Sequence, residues 1–175
     1  MTVDTITAPL LAGSAIPAVK ARVVELLLEA EWPALRTPYS TGLPRPSIEY
    51  SADPTQTRDR VIIGDTSGEP GDQTWFTFLP SRLEAFELQA AIVSEAPGLS
   101  AADSTERAFA MFTVFARTLM NAVRPVDRDG ETTTDFGIDL VSIACRQPTH
   151  TDVRTAEGYT CVIDTGIAVQ AWVAP

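Results

Sequence analysis

Apolar and polar positions alternate along residues 158–173 with Tyr159, Cys161, Ile163, Thr165, Ile167, Val169, Ala171 and Val173 on one face. The other face carries Thr160, Val162, Asp164, Gly166, Ala168, Gln170 and Trp172. A period of two is that of a β-strand. At about 3.3 Å per residue the run would reach about 50 Å, against about 17–20 Å for strands in compact domains. Two readings follow: one long strand, part of which pairs outside its own domain, or two ordinary strands joined by a bulge at Gly166.

The remaining elements show in the same way. A first helix starts at Ser14, with Pro17 early and Val19, Val23, Leu26, Leu27 and Ala30 as its apolar stripe, and ends before Pro33. Five prolines between residues 32 and 60 leave only 47–51 as a short strand. Residues 61–65 form another. Residues 82–94 alternate, with Phe86, Leu88, Ala90 and Ile92 on the buried face. Asp103, Ser104, Thr105 and Glu106 read as a capping box opening a helix to about residue 123, its core face Ala108, Met111, Phe112, Phe115, Leu119 and Ala122. Residues 137–146 are a strand with both faces buried, returning through 148–157 to the long last strand as an antiparallel pair across a wide hairpin. The expected fold is α+β: a mostly antiparallel sheet of about four strands with two main helices packed on one face.

Composition fits one domain over 1–175, with an N-terminal arm at 1–13 and a Pro-rich insertion or long loop at 31–60; 45% of residues are hydrophobic and 21% charged. The start lacks the pattern of a signal peptide and no apolar run would span a bilayer, which predicts a protein made in the cytoplasm without a membrane partner. With 23 acidic against 13 basic residues the formal charge is −10, opposing any grip on nucleic-acid phosphates. A soluble acidic surface accounts for the same number.

Chemistry is sparse. Cys145 and Cys161 read as buried thiols, and with the single His150 they are too few for a zinc site. Ser100 sits between a strand and a helix, where a nucleophile elbow belongs, but its glycine pattern is incomplete and His150 is its only possible histidine. Residues 127–131 have the wrong spacing for a calcium loop, and no phosphate-binding glycine motif or zinc-protease motif is present. We therefore expect no catalytic, cofactor-binding or metal-binding residues, and no enzyme. A small hydrolase using Ser100 is the alternative from another class.

The order of these elements, with the Val61-Ile62-Ile63-Gly64-Asp65 strand, the Arg82-Leu83-Glu84-Ala85-Phe86-Glu87-Leu88 strand, a long helix and a final alternating strand, resembles the tail terminator proteins of long-tailed, non-contractile bacteriophages. The resemblance covers residues 14–30 and 60–173 and implies a hexameric ring at the head–tail junction of a virion. Such a ring caps the tail tube, meets a neck or head-completion protein, and lets DNA pass without specific binding. A head-completion or tube protein is the neighbouring alternative. Trp75, Phe76, Phe78, Gln170 and Trp172 are then candidate assembly contacts. Acids among Asp65, Glu69 and Asp72, or Asp127, Asp129, Glu131 and Asp135, are candidate lumen residues.

Overall fold

The computed structural model describes residues 14–32, 46–50, 59–66, 74–75, 82–95, 100–122, 139–156 and 158–173. Two helices, α1 (Ile16–Glu29) and α2 (Ala101–Ala122), lie on one face of a sheet. Its strands are β1 (Ser47–Glu49), β2 (Arg60–Thr66), β3 (Thr74–Trp75), β4 (Arg82–Glu95), β5 (Asp139–Cys145), β6 (Thr149–Arg154) and β7 (Tyr159–Val173). The path is β1-β2-β4-β7-β5, with β3 on β4 and β6 on β7, so seven strands stand where about four were expected. All pairs are antiparallel except β1 with β2.

The long alternating run is one strand. β4 and β7 pair without a register shift from Arg82↔Val173 to Glu95↔Thr160, which rules out a bulge at Gly166. Both edges of β7 are filled within the chain, by β4 on one side and by β5 and β6 end to end on the other. The strand therefore has no edge left for pairing outside its domain. Its length is used internally, as half of a two-strand spine.

Short strands flank this spine on both sides. β5 and β6 run in the same direction along β7 as one edge broken near Pro148, which has no N–H for the ladder. Arg146 N–H still donates to Gly166 O at 2.7 Å before the break. The β6–β7 turn closes with Thr155 N–H to Gly158 O at 2.8 Å, and Gly158 takes φ 155°, a conformation that suits glycine.

Alternation decides which face meets the helices. Phe86, Leu88, Ala90 and Ile92 of β4 join Cys161, Ile163, Ile167, Val169 and Ala171 of β7 in the core, as their spacing predicts. Val19, Val23, Leu27, Met111, Phe115 and Leu119 cover them from the helices. Each fully buried leucine, isoleucine or phenylalanine contributes roughly 1.5–3 kcal/mol. Phe112, expected in the core, is only half-buried. β5 is also covered on one side only: a register shift at Val141 leaves Leu140, Ile143 and Cys145 half-buried while Val141, Ser142 and Ala144 are exposed.

Buried carboxylates fix each helix to β4 at opposite ends. Glu84, 1% exposed, accepts Ala15 N–H at 2.6 Å and the Ser14 hydroxyl at 2.8 Å, while Ser14 Oγ accepts Ile16 N–H at 3.2 Å. Ser14, the expected cap, stands one residue before the actual N-cap, Ala15, which has no side-chain cap bond of its own; the acid from the sheet sits there instead, at the end of the helix where the backbone dipole favours negative charge. Trp32 Nε1 donates to Leu27 O at 3.0 Å and satisfies a terminal carbonyl of α1. At the far end, Asp59 Oδ1 accepts Glu95 N–H at 3.3 Å, Asp59 O accepts Ser47 N–H at 2.9 Å, and Asp59 Oδ2 pairs with Arg107 of α2.

A Cβ added at Gly166 would run into the Glu87 side chain, which pairs across the open face with Arg146 at 2.9 Å. Gly166→Ala is expected to cost no more than about 1 kcal/mol in urea unfolding, because the atoms in the way are the far end of the flexible Glu87 side chain and the exposed pair it would give up with Arg146 is weak. In a Glu87→Ala background the same change should cost well under half of that, because the obstacle is a side chain and not the ladder.

Candidate assembly surfaces

Open sheet, sheet edge and helix backs are the three kinds of surface this architecture presents. The face opposite the helices has no covering element among the described residues. Its centre is lined by Leu83, Ala85, Glu87, Gln89 and Ala91 of β4 against Trp172, Gln170, Ala168, Gly166 and Asp164 of β7. Glu87 is neutralised by Arg146, and Glu95 by Arg60 at 3.3 Å. This face is therefore mixed and only mildly charged.

Of the expected contact residues, the structure brings Gln170 and Trp172 together on this face. Gln170 is exposed, with Ser142 Oγ donating to its Oε1 at 3.4 Å, and Trp172 is half-buried between β4 and β5. Trp75 lies in β3, paired with Arg82. Phe76 and Phe78 fall outside the described residues. Among the expected lumen acids only Asp65 is described: it is exposed on β2 and pairs with Lys20 of α1 at 3.0 Å, on the helix side of the sheet. Glu69, Asp72, Asp127, Asp129, Glu131 and Asp135 lie outside the described residues.

Among the described residues the sheet ends on β1 at one side and on β5 and β6 at the other, and β6 is a strand absent from the sequence reading. Every residue of Thr149–Arg154 is exposed, so no apolar alternation marks it. Its inner edge pairs with β7, and its outer backbone groups face no further strand of the path. Such an edge is a template for strand addition unless charge or shape protects it, and Asp152 and Arg154 supply charge here.

On the back of the helix layer, α2 presents a shallow hollow of about 330 Å³ lined by Phe112, Thr113, Ala116, Arg117, Met120 and Asn121. Met120 is 65% exposed and Phe109 38%. These apolar positions form a second stripe beside the core stripe of α2, a signal visible in the sequence once the helix is too apolar for one face.

Catalytic geometry does not assemble around Ser100. Ser100 Oγ accepts Asp103 N–H at 3.2 Å and donates to Asp103 Oδ2 at 2.6 Å, the work of a helix N-cap. The cap stands three residues before the expected one, and Asp103 takes the role given to Glu106. His150 lies in β6, not in a turn, with its ring edge-on to Phe109 at 5.5 Å. Thr105 Oγ lies 2.8 Å from Ala101 O and 3.0 Å from Asp152 Oδ1, tying α2 to the same strand.

Burial pushes the thiols of Cys145 and Cys161 up to about 11, Asp152 adding to the effect at Cys161, so both stay protonated near neutral pH. Burial likewise raises the Asp59 carboxyl above its ordinary range, against the pull of the Arg107 guanidinium and the Glu95 N–H. No cluster of three or more His, Cys, Asp or Glu that could hold a metal ion occurs among the described residues. No helix among them is long and apolar enough to cross a membrane.

No family model matches the chain, and no curated protein matches it by sequence. Its fold is similar to that of a chain in the structure of the virion of a native gene transfer agent particle. The TM-score is 0.58 at 15% sequence identity, over 91% of this chain and 98% of that one.

Ser100→Ala is expected to lower stability by about 1 kcal/mol in thermal or urea unfolding, as loss of an N-cap does, while leaving the native fold and oligomeric state unchanged. Arg107→Met should cost about 3–5 kcal/mol, because it strands a buried carboxylate. Combining it with Asp59→Asn is expected to cost less than the sum of the single changes, read as a coupling in a double-mutant cycle.

Proposed function

We propose that this chain is a structural protein of a phage-like virion, and within that class a tail terminator: a ring that caps the tail tube and joins it to the neck. The observation that carries the reading is the fold shared with a gene transfer agent virion chain over nearly the whole of both chains. The element order that resembles the terminator family supports the narrower role, with the long strands β4 and β7 and the two helices at the sequence positions expected for them.

Local chemistry supports an assembly role over catalysis. The serine considered as a nucleophile is committed to a helix cap, and the histidine considered as its partner packs edge-on against Phe109. The excess of 23 acids over 13 bases suits the wall of a channel through which DNA passes without adhering. On this proposal tail tube protein and a neck or head-completion protein bind opposite ends of a ring, and acids at 65–72 or 127–135 face its lumen. The broader reading, another neck or tail structural protein, draws on the same fold similarity.

Two measurements test the assignment. Added to polymerising tail-tube protein, the purified chain is expected to stop elongation, seen as shorter tubes by electron microscopy. In a map of the particle it is expected at the head-proximal end of the tube. Unchanged tube lengths together with a position in the head shell or along the tube would overturn the terminator role. A particle map in which the lumen at its position is lined mainly by arginine would refute the channel electrostatics.

A further inference from the structure

From Glu106 to its end, α2 shows solvent one acid and one base, Glu106 and Arg117, since Arg107 is buried. Residues eleven apart on a helix differ by only ~20° in direction and by ~16 Å along the axis. Glu106 and Arg117 are such a pair, both exposed, and neither is in an ion pair among the described residues. Within one helix they are too far apart to meet. Two copies of the helix laid antiparallel bring Glu106 of each to Arg117 of the other.

The surface between and beside these two charges is apolar or small. Phe109 and Met120, 38% and 65% exposed, are again eleven apart and form a row ~60° round from the charged one. Ala110 and Thr113 lie between Glu106 and Arg117, and the Thr113 hydroxyl already donates to Phe109 O at 2.8 Å, so covering it strands no donor. In the register set by Glu106 and Arg117, Ala110 of one helix comes level with Thr113 of the other, and these small side chains let the axes approach. Phe109 then comes level with residue 114 of the other copy, at the hollow lined by Phe112, Thr113 and Ala116. A two-fold axis across the helices keeps the charged row on one side of the contact and the apolar row on the other.

We propose that the occupant of the α2 hollow is α2 of a second copy of this chain, packed antiparallel about a two-fold axis between residues 111 and 112. The face carries both signs at matching positions, so it is complementary to itself. Exposed ion pairs are weak, so the apolar row holds the contact while the charges choose its direction and register. The contact is isologous and closes at two copies, which separates it from the heterologous contact that a ring requires. It goes beyond the assembly reading and does not depend on it.

Sedimentation of the purified full chain is expected to show a reversible dimer whose fraction rises with concentration. Thr113→Cys chains should cross-link to one another with a short bis-maleimide, because the two copies of residue 113 lie ~5 Å apart along the axes in this register. Asn121→Cys chains should not, because their two copies lie ~28 Å apart. Wild-type protein, with Cys145 and Cys161, sets the background. Arg117→Glu and Glu106→Arg are each expected to weaken the dimer about tenfold, and the two together to restore it, with urea unfolding checking that every variant folds. Cross-linking of Asn121→Cys, or a dimer unmoved by either charge reversal, would overturn the contact. So would a chain that is monomeric at every concentration, or a Thr113→Cys chain that cross-links only to added tail-tube protein. A monomer that still stops tube elongation would sink this contact and leave the terminator reading standing. A dimer with all these properties that leaves tube lengths unchanged would do the reverse.

Discussion

The continuous ladder between β4 and β7 is the constraint on which the other contacts depend. Because side chains alternate with a period of two, its register decides at once which residues face the helices. A slip of one residue would send Phe86, Leu88, Ala90 and Ile92 to the open face and bring Glu87 and Gln89 under the helices. It would also remove Glu84 from the N-terminus of α1. The observed register instead places Glu84 and the apolar set on one side and Glu87 opposite Ala168 on the other, where Glu87 has Gly166 beneath it and Arg146 alongside. The outer strands inherit this register, β2 from β4 and β5 and β6 from β7.

Two buried carboxylates then convert the sheet's register into helix positions. They act differently. Glu84 meets backbone N–H and a hydroxyl at the start of α1, so the helix supplies dipole and donors without a buried countercharge. Asp59 faces a full cation, Arg107, and burial raises its carboxyl against that cation's pull. A buried ion pair adds little net stability, but losing one partner leaves the other uncompensated. In this fold the pair therefore specifies where α2 docks more than how tightly it docks. Both acids lie beside the termini of β4, so the helices are pinned at opposite ends while apolar packing fills the span between them.

The sequence showed the elements whose burial pattern matches their period. β4, β7, α1 and α2 combine one apolar face with a clear repeat, and their boundaries fell within a few residues. β6 was hidden because Thr149–Arg154 is exposed on both faces: an edge strand held by backbone pairing alone has no hydrophobic signature, and Pro148 reads as a break. Glu84 was hidden for the opposite reason. An acid inside an alternating strand is ordinarily read as charged surface, and only the arrival of α1 makes its buried position favourable. The Ser100 cap was obscured by the serine and threonine that follow it, and Asp59 stood at the end of a proline-rich stretch without apolar marking. The candidate surfaces were legible in smaller part: Gln170 and Trp172 share a face as their alternation requires, whereas Phe112 was assigned to the core and Phe109 and Met120 beside it were not singled out.

Charge placement separates two demands that net charge alone would merge. A channel wall must repel phosphates along its length, a diffuse property, whereas a contact between copies needs local attraction between unlike patches. The open face partly neutralises itself through Glu87 with Arg146 and Glu95 with Arg60, which leaves it suited to contact more than to repulsion. The end of α1 keeps Glu29 and Glu31 where the helix dipole disfavours negative charge. On the proposed ring, repulsion at the lumen comes from acids outside such pairs.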